Sequence, residues 1–203
     1  MPEFVSPPLC SGAGAPPHPE RPTNPPALRL SVAWSRVRSV ENLMTELNAA
    51  LTAEPDSRKP KLDALWAEID PADHASRCIA AHFIADLQED LDDEVAWDEV
   101  SLRESVNVSD ADLQAIHPTL TVAGFMPSLH LNLADGYRRQ GRFAEAADRL
   151  GTSREFDFAL TDGTADEKLY ADGIREAQER VQRLIAAEDR TKLAPPTPTD
   201  DRG

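Results

Sequence analysis

Residues 131–150 read LNLADGYRRQGRFAEAADRL. Leu131, Leu133, Ala134 and Tyr137 recur at helical spacing, Gly141 interrupts, and Phe143, Ala146 and Leu150 resume the same spacing. The pattern is two amphipathic helices joined by a turn, with Gly141 as the left-handed stop. Small Ala134 and Ala146 let the two helices approach closely, and the larger residues fill the flanks. Pro127 marks the start of the first helix, expected over 127–140; the second is expected over 143–150, closed by Gly151.

Working outward, helical signals dominate, and no segment alternates long enough for a strand. Helices are expected over Val40–Ala53 and Lys61–Ile69, and from Pro71, behind the cap Asp70, to Glu89. Leu91-Asp92-Asp93 is read as a break and Glu94–Val106 as the return helix. Ser109 opens a short helix to Ile116, and Pro118–Gly124 is read as a loop. Thr164 and Glu167 form a capping box that opens a last helix to about Ala187.

The chain has 203 residues and 17 prolines. Nine prolines fall within residues 2–26 and three within 195–198, away from the apolar residues. The expected organisation is a disordered tail over 1–39, a helical domain over 40–189 and a second tail over 190–203. Met44 opens MTELNAALTAEPDS, a natural helix start, and translation from Met44 is one expectation.

The formal net charge of −15 and an aromatic content of 5% argue against nucleic acid, which needs a basic face. The same charge repels an anionic membrane, and no apolar run is long enough to span one. MPEFVSPPLC lacks the basic start and apolar block of a secretory leader. Cys10 lies in the Pro-rich segment, which argues against a disulfide with Cys78 and for a reducing cytoplasm.

Residues 127–150 resemble one tetratricopeptide (TPR) repeat. Asn132 and Leu133 match the family's first helix, Ala134 takes its small-residue place and Tyr137 its packing aromatic. Gly141 fits the turn, Phe143 the aromatic after it, Ala146 the close contact and Leu150 the next apolar position. Two departures stand out: His130 replaces the usual Trp, and GTSREFDF replaces the closing Pro. A fainter echo spans Ala80–Leu102, and the chain is similar to small TPR-domain proteins of high-GC bacteria. The resemblance implies an all-α, right-handed array of antiparallel helix pairs with a long C-terminal capping helix. One unit cannot bury its own apolar face, so neighbouring helices must complete the stack.

Three constellations carry the functional expectations. His74, Cys78, His82 and Asp86 recur every four residues, and i, i+4 spacing puts two metal ligands on one face. Each step drifts about 40° around a helix, so all four cannot meet one ion. His74, Cys78 and His82 remain the metal candidates of a rival, enzymatic reading, against a bland one in which Cys78 fills apolar space.

Residues 84–112 hold eleven acids against one base, Arg103. The run from Asp90 begins like a calcium loop, but Val95 stands where Gly is required and Ser101 where Glu is. Asp90, Asp92 and Asp93 are therefore read as a docking face for a basic partner. Last, Asn132, Asp135, Arg138 and Arg139 are expected to line the groove of the repeat. No nucleophile, P-loop or dinucleotide motif is present.

The leading expectation is a protein-binding or peptide-binding module, monomeric or weakly dimeric, with no cofactor and no catalytic residue. A structural subunit of a larger assembly is the third reading.

Overall fold

In the computed structural model, residues 43–192 are described. They form eight α-helices and, among the described residues, no strand. In chain order these are α1 (Leu43–Leu51), α2 (Pro55–Glu68), α3 (His74–Ala85), α4 (Leu91–Ser105), α5 (Asp110–Ile116), α6 (Val122–Gln140), α7 (Phe143–Glu155) and α8 (Ala165–Ala186). A single 3₁₀ turn, Asp157–Ala159, joins α7 to α8. The Pro-rich segment over 1–39, with Cys10, lies outside the described residues, as do residues 40–42 and 193–203.

Caps explain where the helices begin, and they correct several expected boundaries. Asp70 accepts from the Ala72 amide at 2.8 Å, closing a turn of its own. The cap role passes to Asp73, which accepts from the Ser76 amide, so α3 starts at His74 rather than Pro71. Asp90 Oδ1 accepts from the amides of Asp92 and Asp93 at 2.8 and 3.2 Å. The expected break at Leu91-Asp92-Asp93 is thus the first turn of α4, whose three acids suit the positive helix end.

Thr121 caps α6 through the Gly124 amide, which places Pro127 inside the helix rather than at its start. Part of the expected loop 118–124 is therefore helical. α2 reaches back past Pro60 because Pro55 sits at the first turn, where its missing N–H costs nothing.

The quoted stretch folds as its spacing predicts as far as the turn. Gly141 adopts φ +82° and closes α6, with its amide on Arg138 O and that of Arg142 on Tyr137 O. Beyond it, α7 continues through Gly151 to Glu155. The capping box of α8 forms in both directions, Glu167 N to Thr164 Oγ1 and Thr164 N to Glu167 Oε2.

The apolar core falls into several clusters, one of them Cys78, Met126 and Leu129 between α3 and α6. Leu43, Leu47, Leu62, Leu65, Ile79, Ile84 and Leu113 gather from α1, α2, α3 and α5, with Trp66 and Trp97 edge-on at 4.9 Å beside them. Val95, Leu133, Tyr137 and Ala146 join α4, α6 and α7, and Leu131, Ala134, Leu150 and Val181 bring in α8. Each fully buried Leu contributes about 1.5–3 kcal/mol.

Ala134 and Ala146 are both fully buried, as the small-residue reading requires. A second close approach went unread: a Cβ on Gly136 of α6 would stand 2.6 Å from Val95 Cγ2 of α4. His130 stacks on Phe156 with ring centroids 6.3 Å apart. Burial and the nearby Arg149 charge push its pKa down to about 4, so the ring is neutral.

Candidate functional site

α4 buries Val95, Asp98, Ser101 and Ser105, an interior stripe that includes one carboxylate. Facing it, α3 presents the four-residue series of His74, Cys78 and His82. Each of these meets a different partner. His74 Nδ1 lies 2.7 Å from Glu104 Oε2, and Arg77 Nε donates to Glu104 Oε1 at 3.2 Å. Arg77 also lies over the Trp66 ring, 3.9 Å from its centroid.

Cys78 packs on Ser101, whose hydroxyl donates to Cys78 O at 2.8 Å. Burial pushes the Cys78 thiol up to about 11, which keeps it protonated at neutral pH. His82 approaches Asn132 Nδ2 at 3.4 Å and Asp98 at 4.0 Å. The candidate ligands are thereby spread along the helix interface. Among the described residues no group of three or more His, Cys, Asp or Glu could hold a metal ion.

His82, Asp98 and Asn132 begin a polar seam where α3, α4 and α6 meet. Asn132 Nδ2 lies 3.4 Å from Asp98 Oδ1 as well. Burial, reinforced by the charges of Asp86 and Glu94, pushes Asp98 up to about 8, although the Asn132 hydrogen bond and Arg139 oppose it. Burial pushes His82 down to about 4. At neutral pH the pair is therefore an acid with its proton and a neutral imidazole.

The seam continues along α6. Asp135 Oδ1 accepts from Arg138 Nη2 at 2.6 Å and from Arg138 Nε at 3.1 Å. Asp135 Oδ2 accepts from Arg139 Nε at 2.8 Å. Arg139 also pairs with Glu94 through both terminal nitrogens.

Of the four residues expected to line the groove, Asn132 and Asp135 are half-buried, while Arg138 and Arg139 are buried. Arg138 is 0% exposed and Arg139 7%. Their guanidinium groups are engaged inside the fold.

Covering them are residues 189–192, which belong to the folded body, whereas the sequence predicts a tail from 190 onward. Arg138 donates to the carbonyls of Asp189 and Thr191. Arg190 donates to the carbonyls of Arg139 and Gln140 at 3.0 and 3.1 Å. Lys192 Nζ lies 3.6 Å from Glu94.

The acidic candidates divide by role. Asp90 caps α4, and Asp92 accepts from Gln140 Nε2 at 2.7 Å. Asp93 is exposed and, among the described residues, its carboxylate makes no hydrogen bond or ion pair. On another face, Tyr137, Arg142, Glu145, Asp148, Arg149 and Thr152 line a pocket of about 190 Å³. There Arg142 lies over the Tyr137 ring and pairs with Glu145, while the Tyr137 hydroxyl donates to Glu99 at 2.8 Å.

Sequence reasoning missed Glu94 and Asp98 as members of the seam. The signal for Asp98 was its place on the buried stripe, three residues after Val95 and four before Leu102. No comparable signal exists for residues 189–192, a strap across α6, because its contacts join residues about fifty positions apart.

No family model, curated protein or solved structure matches the chain. No helix among the described residues is long and apolar enough to cross a membrane.

Proposed function

We propose that the chain is a TPR-like array of helix pairs that binds a protein or peptide partner. Helix direction supports the array. His74 meets Glu104 and His82 meets Asp98, so α3 and α4 run in opposite senses. Asp92 meets Gln140 and Asp98 meets Asn132, so α4 and α6 do too. Tyr170 reaches Gly124 at one end of α6 and Asp189 reaches Arg138 at the other, so α8 lies along α6 in the same sense. Alternating pairs closed by one further helix are how such repeats stack.

The observation that carries the binding reading is the polar seam itself. His82, Asp98, Asn132, Asp135, Arg139 and Glu94 crowd one helical interface, where packing alone favours apolar side chains. Repeat arrays bind partners on a concave surface, and in this reading α3 and α6 are the first helices of their pairs and line it. The net charge of −15 favours a basic partner and speeds its approach.

The test is capture of a partner from native lysate, followed by hydrogen exchange on the purified complex. Protection is expected along α3 and α6. Failure to retain any protein stoichiometrically, or protection confined to other helices, overturns the reading.

A further inference from the structure

The strap over Arg138 is an odd cover for a buried charge. Arg190, Thr191 and Lys192 are exposed, Asp189 is half-buried, and the strap includes no apolar side chain. It is held by hydrogen bonds and charge alone. The chain enters it through a reversal at Glu188, whose φ of 51° is the only positive value among the described non-glycine residues. Such a segment opens locally at small cost. Beneath it lies a guanidinium with no exposure at all.

Residues 189–191 close a turn of their own, Thr191 N donating to Asp189 Oδ1 at 2.8 Å, and the turn presents main-chain carbonyls to the site. Arg138 recognises two main-chain carbonyls, those of Asp189 and Thr191. A basic side chain, Lys192, sits against Glu94 and lies close enough to Asp86 to favour its charged form. A second basic side chain, Arg190, lies on the α6–α7 turn, its Cζ 3.2 Å from where a Cβ on Gly141 would stand. Main-chain recognition gives affinity in such sites, and the side-chain subsites give selectivity.

We propose that Glu94, Asp135, Arg138 and Arg139 form a binding site for a peptide that carries basic side chains on a turn, and that the chain's own residues 189–192 occupy it in cis. This deepens the partner-binding reading and rests on it. A trans ligand would place carbonyls against Arg138 and a Lys or Arg against Glu94, displacing the strap. The cis segment competes at an effective concentration that a free ligand must exceed, so the strap sets a threshold for binding.

The experiment uses the full chain and a fluorescent peptide with the sequence of residues 187–194, AEDRTKLA. Arg190→Ala with Lys192→Ala loosens the strap by removing its hydrogen bonds to the last two carbonyls of α6 and its contact with Glu94. The peptide is expected to bind this double variant at least tenfold more tightly than it binds the unmodified chain. Adding Glu94→Gln to the double variant should weaken it at least fivefold. Lys192→Ala alone, where the side chain is 66% exposed, should give a smaller gain and serves if the double variant loses its fold.

Equal binding to the loosened and unmodified chains, no binding to either, or indifference to Glu94→Gln overturns the proposal. Peptide binding without any partner captured from lysate leaves the site standing and removes the partner reading. A partner whose footprint covers α3 and α6 while the strap amides stay protected does the reverse.

Discussion

His82 Nδ1 on α3 and Asp98 Oδ1 on α4 face each other across 4.0 Å. Burial shifts the two in opposite directions along the pH axis, His82 down to about 4 and Asp98 up to about 8. The folded chain refuses a proton on His82 that the unfolded chain takes up below about 6.5. It keeps a proton on Asp98 that the unfolded chain releases near 3.8. The His82 contribution is therefore complete above 6.5 and is lost as pH falls toward 4. The Asp98 contribution is complete below 3.8 and is lost as pH rises through 8. Between 4 and 6.5 the two slopes oppose each other; from 6.5 to 8 Asp98 acts alone. Stability is expected to fall there by about 1.4 kcal/mol per pH unit from this group. Asp98→Asn should flatten that slope in urea denaturation at pH 6.5 and 8.0. Parallel slopes for the two proteins would sink the assignment.

Gly136 sits in the middle of α6, where helix propensity alone favours Ala by about 1 kcal/mol. The contact with Val95 reverses that preference, since a Cβ would meet Val95 Cγ2 at 2.6 Å. Overpacking of this kind costs roughly 1–3 kcal/mol. Gly136→Ala is expected to be destabilising overall, and Val95→Ala in the same chain should recover part of the loss. Additive losses in a double-mutant cycle would show that the two residues do not collide.

What the sequence revealed and what it hid follow from the range of the interactions. Gly141, Ser109 with Asp112, and Thr164 with Glu167 act over one to three residues, and those signals were readable. Asp70 and Asp73 compete for one helix start, and composition alone does not say which wins. Pro127 and Gly151 are read as boundaries, yet each lies inside a helix. There tertiary packing overrides local preference.

The candidate site was hidden for a related reason. Arg138 and Arg139 look like free cations at a helix end, where charge alone explains them. Their burial depends on Asp135, Glu94 and residues 189–191, which converge only in the folded chain.

Cys78 is buried and its thiol is pushed up to about 11, so it should behave as an inert core residue. In a Cys10→Ser chain, which leaves one thiol, labelling by a thiol-reactive dye is expected to run at least about a hundredfold slower in buffer than in denaturant. Added zinc should leave that rate unchanged if His74, Cys78 and His82 act separately. Zinc-dependent protection with a matching rise in melting temperature would restore the metal reading of that helix face.

Asp135 is the sharpest test of the seam as a structural network. It bridges two guanidinium groups, one fully buried and the other 6% exposed, while its own side chain is 24% exposed. Removing one partner of a buried pair leaves an uncompensated charge, at a cost of about 3–5 kcal/mol. Partial exposure of Asp135 and the remaining pair between Arg139 and Glu94 reduce that figure to roughly 2–3 kcal/mol for Asp135→Ala. Asp135→Asn, which keeps one acceptor, should cost less. The control is the pair of Arg142 and Glu145, whose side chains are 38% and 53% exposed. Glu145→Gln is expected to leave the denaturation midpoint unchanged, because exposed pairs are screened by solvent. Equal midpoints for Asp135→Ala and Glu145→Gln would mean that solvent reaches Arg138 and that the strap does not seal it.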